Sequence, residues 1–191
     1  MYYMSNYKYT ARWFLDSDIR RDICKYLNPL EQHTILEIGC YEGLSSVFFA
    51  DTLLNHSGST LTCVDPYLTL NTNDHGHLLQ NNEEANFDYN ITHCNNSNKI
   101  HIHKITSDAF FEKNTEIFDL IYIDGSHQCE NIRRDMINSF KYLAPNGIMW
   151  MDDYLGDDGI RIKNTMDSVL SHLNGQYKFL QSGYQIAIQK I

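Results

Sequence analysis

Residues 35–54 read ILEIGCYEGLSSVFFADTLL. A short apolar run, interrupted by the carboxylate of Glu37, breaks at Gly39, passes through Cys40, Tyr41 and Glu42 to Gly43, and continues with helical periodicity. Strand, glycine-bounded turn and helix in that order form a unit of an open α/β sheet. In such sheets ligands bind beyond the carboxyl ends of the strands. Glycine in the turn lets backbone approach a ligand closely, and the helix that follows offers its first N–H groups.

The same alternation continues along the chain. Five apolar runs of strand length occupy 34–38, 61–64, 99–105, 120–123 and 148–151. Helical segments separate most of them. In the segment CENIRRDMINSFKYLAPNG (129–147), Ile132, Met136, Phe140 and Leu143 repeat at helical spacing. Pro145-Asn146-Gly147 is a helix terminator. Near the end, IRIKNTMDSVLSHLNG (160–175) reads as a helix, and YKFLQSGYQIAIQKI (177–191) as two strands around a tight Ser182-Gly183 turn. The expected fold is α/β and Rossmann-like: a seven-stranded, mostly parallel sheet with a C-terminal antiparallel hairpin and helices on both faces. Residues 1–191 are expected to form a single domain. Its first 33 residues would be a helical extension with one helix across 11–27. Residues 67–98, polar and long for a connection, have the character of a lid with a helix near 78–89.

Bulk properties exclude several classes. The 191 residues carry 15 basic and 24 acidic side chains, a net charge of −9. Without a basic stripe to displace counterions, nucleic acid is not an expected partner. No apolar run is long enough to span a membrane, and the start, MYYMSNYKYTARWFLDSD, lacks the apolar core of a signal peptide. Five cysteines without a CxxC pair argue against a disulfide framework or a zinc ribbon. A reducing, cytoplasmic setting is expected.

The second run ends in Asp65, where a carboxylate can accept hydrogen bonds from ribose hydroxyls. Together with the glycine turn this favours an adenosine-type cofactor. A dinucleotide enzyme would carry GxGxxG; this turn is ExGxxxG, which points to S-adenosylmethionine. Here the chain resembles the class I S-adenosylmethionine-dependent methyltransferases. Residues 35–54 are similar to the first motif of the catechol-type O-methyltransferases, which also lack the middle glycine, here Tyr41. IDGSH (123–127) with LAPNGIMWMDDY (143–154) resembles the branch containing macrocin-type sugar O-methyltransferases. The resemblance, over roughly 34–190, implies that Glu37, Gly39, Tyr41 and Gly43 form the cofactor loop. Ser45 would bind the methionine carboxylate and Asp65 the ribose. Ser107 and Asp108 would lie against the adenine, or simply cap a helix.

In that fold the fourth and fifth strands are neighbours. Asp124 ends one, and Asp152-Asp153 end the other, so the acids should converge. Two carboxylates about 5 Å apart repel by roughly 3 kcal/mol at an effective dielectric of about 20. Such a cluster requires protons or a cation, and oxygen ligands favour Mg²⁺, with Mn²⁺ or Ca²⁺ as substitutes. Asp124, Asp152 and Asp153 are the expected metal ligands. His127 stands where the catechol-type enzymes place a base lysine, and is the expected general base. The alternatives are a loop start or cap for Asp152-Asp153 and a residue near a helix start for His127. The leading expectation is a metal-dependent O-methyltransferase for a small hydroxylated molecule, a sugar or sugar nucleotide before a catechol, with a homodimer as one option. The competing readings are an RNA or protein methyltransferase, a non-catalytic cofactor-binding module and an NAD-linked oxidoreductase.

Overall fold

The computed structural model describes residues 6–67, 82–156 and 159–191. Its strands are β1 (Thr34–Ile38), β2 (Thr60–Val64), β3 (Ile100–His103), β4 (Phe118–Ile123), β5 (Leu143–Met151), β6 (Tyr177–Ser182) and β7 (Ile186–Lys190). They form one sheet in the order β3-β2-β1-β4-β5-β7-β6. The first five run parallel, and β7 is antiparallel to both β5 and β6. The helices are α1 (Asp18–Asp22), α2 (Leu44–Leu53), α3 (Glu83–His93), α4 (Ser107–Phe111), α5 (Cys129–Tyr142) and α6 (Gly159–His172). The seven-stranded sheet with its terminal hairpin is therefore the fold that the sequence implies.

Alternation along each strand divides the core in two. Ile35, Leu61, Leu120, Tyr122, Ile148 and Trp150 pack with α2, α3 and the N-terminal segment. Leu36, Ile38, Ile121, Ile123, Met149 and Met151 pack with α4, α5 and α6. Both faces are covered, which explains why the central strands read as nearly unbroken apolar runs.

The chain leaves β1 toward β2 and β3, then returns to its other side as β4, so the crevice of the sheet opens between β1 and β4. There the two strand ends nearly touch. Asp124 N–H donates to the carbonyl of Ile38 (2.8 Å), and Gly39 N–H donates to that of Val64 (2.9 Å). Gly39 has φ +84°, and a Cβ on it would lie 2.0 Å from the Asp124 carbonyl oxygen. Backbone occupies that space, so no side-chain rotation relieves the clash.

The N-terminal segment is broken where one helix was expected across 11–27. Residues Trp13–Asp16 and Ile23–Lys25 are 3-10 turns flanking the single turn of α1. Ser17, extended at φ −66° and ψ 149°, ends the first and caps α1 by accepting from Arg20 N–H. Upstream, the buried carboxylate of Glu42 accepts from Thr10 N–H (2.6 Å), Thr10 Oγ1 (2.9 Å) and Asn86 Nδ2 (2.7 Å). Asn90 Nδ2 donates to the carbonyls of Lys8 and Glu42, both at 2.8 Å. The segment is thus strapped over the turn between β1 and α2.

Three further details differ from expectation. Helix α3 begins at Glu83; positions 78–81 of the expected helix, and 68–81 of the expected lid, lie outside the described residues. Helix α5 stops at Tyr142, and residues 144–147 form an irregularity inside β5, whose register against β4 shifts there. The hairpin pairs Ser182 with Ile186, so its turn is Gly183-Tyr184-Gln185, one residue longer than the Ser182-Gly183 turn.

The crossing at Gly39 yields the first prediction. Gly39→Ala should destabilise the protein by about 3–5 kcal/mol, since it adds both backbone strain and an overlap with Asp124. Urea unfolding measures this, and near-native stability would contradict the close approach of the two strand ends.

Candidate active site and cofactor loop

Strand register builds the site. Tyr122 pairs with Trp150 and Ile123 with Met151. One step further, Asp152 N–H donates to the Ile123 carbonyl (2.9 Å), so Asp124 and Asp152 stand side by side. Both acids lie on the same sheet face as Tyr122, two residues before Asp124. The phenol of Tyr122, fully buried, reaches along the strands and donates to Asp152 Oδ2 (2.7 Å) and Asp124 Oδ2 (3.1 Å).

Asp153 faces elsewhere. Its φ is +57°, and its N–H donates back to Asp152 Oδ1 (2.8 Å). That turn brings Asp153 Oδ2 to 2.8 Å from His127 Nε2, while Asp153 Oδ1 accepts from Tyr184 Oη (2.6 Å). Asp124, His127 and Asp153 each place one ligand atom within 4.8 Å of the others. Asp152 is not of that trio, and its two oxygens accept from Tyr122 and the Asp153 amide. The expected group of three acids is thus gathered as two acids and an imidazole, with the third acid behind. A cavity of about 20 Å³ adjoins them, lined also by Ile132, Ile162 and Met166, room for one water-sized occupant.

Burial holds the Asp124 carboxyl well above the usual carboxylate range, and the charges of Asp152 and Asp153 push the same way. Asp152 is raised by burial and by Asp153. The site therefore favours a proton or a cation, and the donor set fits a divalent ion. Oxygen donors suit Mg²⁺, and an imidazole in the set suits Mn²⁺ as well.

The expected cofactor residues divide into two groups. Glu37, Gly39, Tyr41, Gly43, Ser45 and Asp65 converge at the carboxyl ends of β1 and β2. Asp65 Oδ2 accepts from the backbone N–H of Cys40 (2.8 Å) and Tyr41 (3.1 Å), and Oδ1 from that of Tyr67 (2.9 Å). It thereby shapes the turn between β1 and α2. Tyr41, at φ +48°, packs its ring at a 40° tilt against the exposed Trp13, with centroids 5.4 Å apart, and Gly43, at φ +79°, caps α2. Ser45 does not present its hydroxyl proton to the crevice, because it donates to Glu37 Oε1; Ser46 donates to Oε2 at 2.5 Å. Ser107 and Asp108 turn toward α5: Ser107 Oγ donates to Asp135 (2.5 Å), and Asp108 pairs with Arg134 (3.1 Å). The residue that caps α4 is Thr106.

A second set of potential ligands, Glu37, Cys40 and Cys63, lies fully inside the core. Cys63 Sγ donates to Glu37 Oε2 (3.6 Å), so the carboxylate already receives two hydroxyls and a thiol. Sequence reading missed three side chains of the site, Tyr122, Tyr184 and Gln185. A tyrosine two positions before a strand-end acid is the one signal that points to Tyr122 beforehand; the other two come from a turn remote in sequence.

Burial raises Glu37 from an ordinary 4.5 to about 7, although its serine and cysteine donors oppose the shift. A carboxyl with a higher pKa in the folded chain binds its proton there more tightly. Its stabilising contribution is complete below pH 4.5 and is lost as pH rises through about 7. The difference in unfolding free energy between the cofactor-free native protein and its Glu37→Gln variant should therefore fall by about 2–3 kcal/mol between about pH 5 and about pH 8. Urea titrations at the two pH values measure it, and a constant difference would contradict a protonated Glu37.

A family described as "Methyltransferase domain" matches residues 36–154. No curated protein sequence matches the chain. Among solved structures, an O-methyltransferase from Bacillus cereus in complex with SAH superposes with a TM-score of 0.64 at 16% identity, over 91% of this chain and 82% of that one. The O-methyltransferase TomG from Streptomyces achromogenes, involved in tomaymycin synthesis and solved with SAM, gives 0.65 at 16% over 92% and 80%. A candidate rRNA methylase from Clostridium thermocellum gives 0.69 at 15% over 90% and 93%. At these identities the likeness is one of fold. With the family match over most of the sheet and the strand order described above, the chain belongs to the methyltransferase-domain family and has the class I S-adenosylmethionine-dependent fold found in O-methyltransferases.

Proposed function

We propose that this protein transfers a methyl group from S-adenosylmethionine to a hydroxyl of a small molecule, with the help of a divalent cation. The observation that carries this reading is the gathering of Asp124, His127 and Asp153 at the ends of β4 and β5, beside the Gly39 turn. S-adenosylmethionine supplies the electrophilic methyl group. A divalent cation, Mg²⁺ or Mn²⁺, supplies positive charge that lowers the pKa of a coordinated alcohol.

The chain's own residues do the rest. Asp124 and Asp153 present carboxylate oxygens toward the small cavity, and Asp152 contributes a third acid beside them. His127 acts as the general base, a role that excludes it from the ligands, and the Asp153 carboxylate 2.8 Å from its Nε2 stabilises the imidazolium. Glu37, Gly39, Tyr41, Gly43, Ser45 and Asp65 form the cofactor side, with Asp65 facing the ribose. Ser107 and Asp108 reach the adenine if they leave their α5 partners.

A sugar or sugar nucleotide is the favoured acceptor, on the strength of the IDGSH and MDDY segments. The net charge of −9 weighs against a nucleic-acid acceptor. Among the described residues no helix is long and apolar enough to cross a membrane.

S-adenosylhomocysteine should raise the melting temperature while NAD does not; the reverse would contradict the cofactor assignment. With a panel of nucleotide sugars and catechols, S-adenosylhomocysteine release should require added Mg²⁺ and stop in EDTA. His127→Ala should lower kcat by about 10²–10⁴ and leave S-adenosylhomocysteine affinity unchanged. Full turnover in EDTA would remove the cation from the mechanism.

A further inference from the structure

Tyr122 lies in the middle of the sheet, buried among apolar rings. Its ring meets those of Phe49 at 5.6 Å and Phe14 at 6.1 Å, both edge-on. Phenylalanine would fill that space as well, so packing alone does not call for a hydroxyl. The hydroxyl instead occupies the gap between Asp124 Oδ2 and Asp152 Oδ2, with one proton shared by two acceptors.

The phenol is itself held. Gln185, fully buried, donates from Nε2 to Tyr122 Oη at 3.4 Å. Its Oε1 accepts from Trp150 Nε1 (2.9 Å) and from the backbone N–H of Ile19 (2.8 Å). Its own backbone N–H donates to Asp18 Oδ2 (3.2 Å). Each polar atom of the Gln185 side chain thus has a partner, and the amide cannot rotate without leaving buried donors unsatisfied. Its neighbour in the turn, Tyr184, donates to Asp153. The hairpin turn therefore braces the acids from two sides.

We propose that Tyr122, locked by Gln185, is a positioning residue for the cation centre: its single O–H, shared between Asp124 and Asp152, holds Asp124 against Asp152 and so sets the orientation in which Asp124 meets a divalent ion. The proposal rests on the cation reading of the site. The phenol lies behind the acids, on the core side, where it fixes the carboxylates without coordinating the ion. Groups in that position commonly govern metal affinity by one to two orders of magnitude.

The test is calorimetric titration of Mg²⁺ and of Mn²⁺ into S-adenosylhomocysteine-saturated wild type, Tyr122→Phe and Phe14→Leu. The last changes the packing of the Tyr122 ring and touches neither acid. Tyr122→Phe should weaken divalent-ion binding about tenfold or more, with S-adenosylhomocysteine affinity retained. Phe14→Leu should lower the melting temperature and leave ion affinity unchanged. Equal ion affinity in Tyr122→Phe and wild type would overturn the positioning role and leave the cation reading intact. An equal loss in Phe14→Leu, or loss of S-adenosylhomocysteine binding by Tyr122→Phe, would assign the phenol to packing and overturn it too. If the wild type binds neither ion, the cation reading and the proposal both fall.

Discussion

Asp124 and Asp152 are half-buried carboxylates at the ends of adjacent parallel strands, and negative charge drawn partly out of water is costly unless something answers it. The register of β4 against β5 makes their adjacency unavoidable. Much of this end of the molecule is the answer. Tyr122 lends a proton from below, Gln185 fixes Tyr122, and the N-terminal segment fixes Gln185 through Ile19 and Asp18. Above, the turn at Asp153 directs the third acid toward His127 and away from its neighbour. Burial and the charges of Asp152 and Asp153 still hold the Asp124 carboxyl well above the usual carboxylate range, against the hydrogen bond from Tyr122. A cation is the partner proposed for them.

Asp124 also joins the two halves of the proposed reaction. Its carboxylate belongs to the cation site, while its carbonyl lies against Gly39 in the cofactor turn. The proposed cofactor loop and the proposed cation ligands therefore meet at one residue, across the crevice between β1 and β4. The same turn is strapped from outside by Thr10 through Glu42, and Trp13 packs on Tyr41 beside it. The N-terminal segment, expected to be a helical extension, thus touches the turn between β1 and α2 through Thr10 and is linked to the strand-end acids through Gln185 and Tyr122.

Local pattern made the sheet legible. β1 is bounded by the same residues that its apolar run marks, and the other strands differ mainly at their ends. The antiparallel hairpin was readable too, although its turn gained Tyr184 and Gln185, residues whose contacts lie with distant acids. What failed was local reading of segments governed by remote partners. Ser17 breaks the 11–27 helix while Asp18 serves Gln185, far along the chain. Asp124, Asp153 and His127 were legible as chemistry because strand ends in an α/β sheet converge. The diversion of Asp152 to Tyr122, and of Ser45 to Glu37, depends on side-chain geometry that spacing does not encode.

The central claim is that a divalent ion sits among the strand-end acids. Crystals grown with S-adenosylhomocysteine and Mn²⁺ would locate it by anomalous scattering. The account predicts one strong peak at about 2.1–2.3 Å from carboxylate oxygens of Asp124 and Asp153. A crystal that binds the cofactor product but shows no manganese at these residues would contradict it.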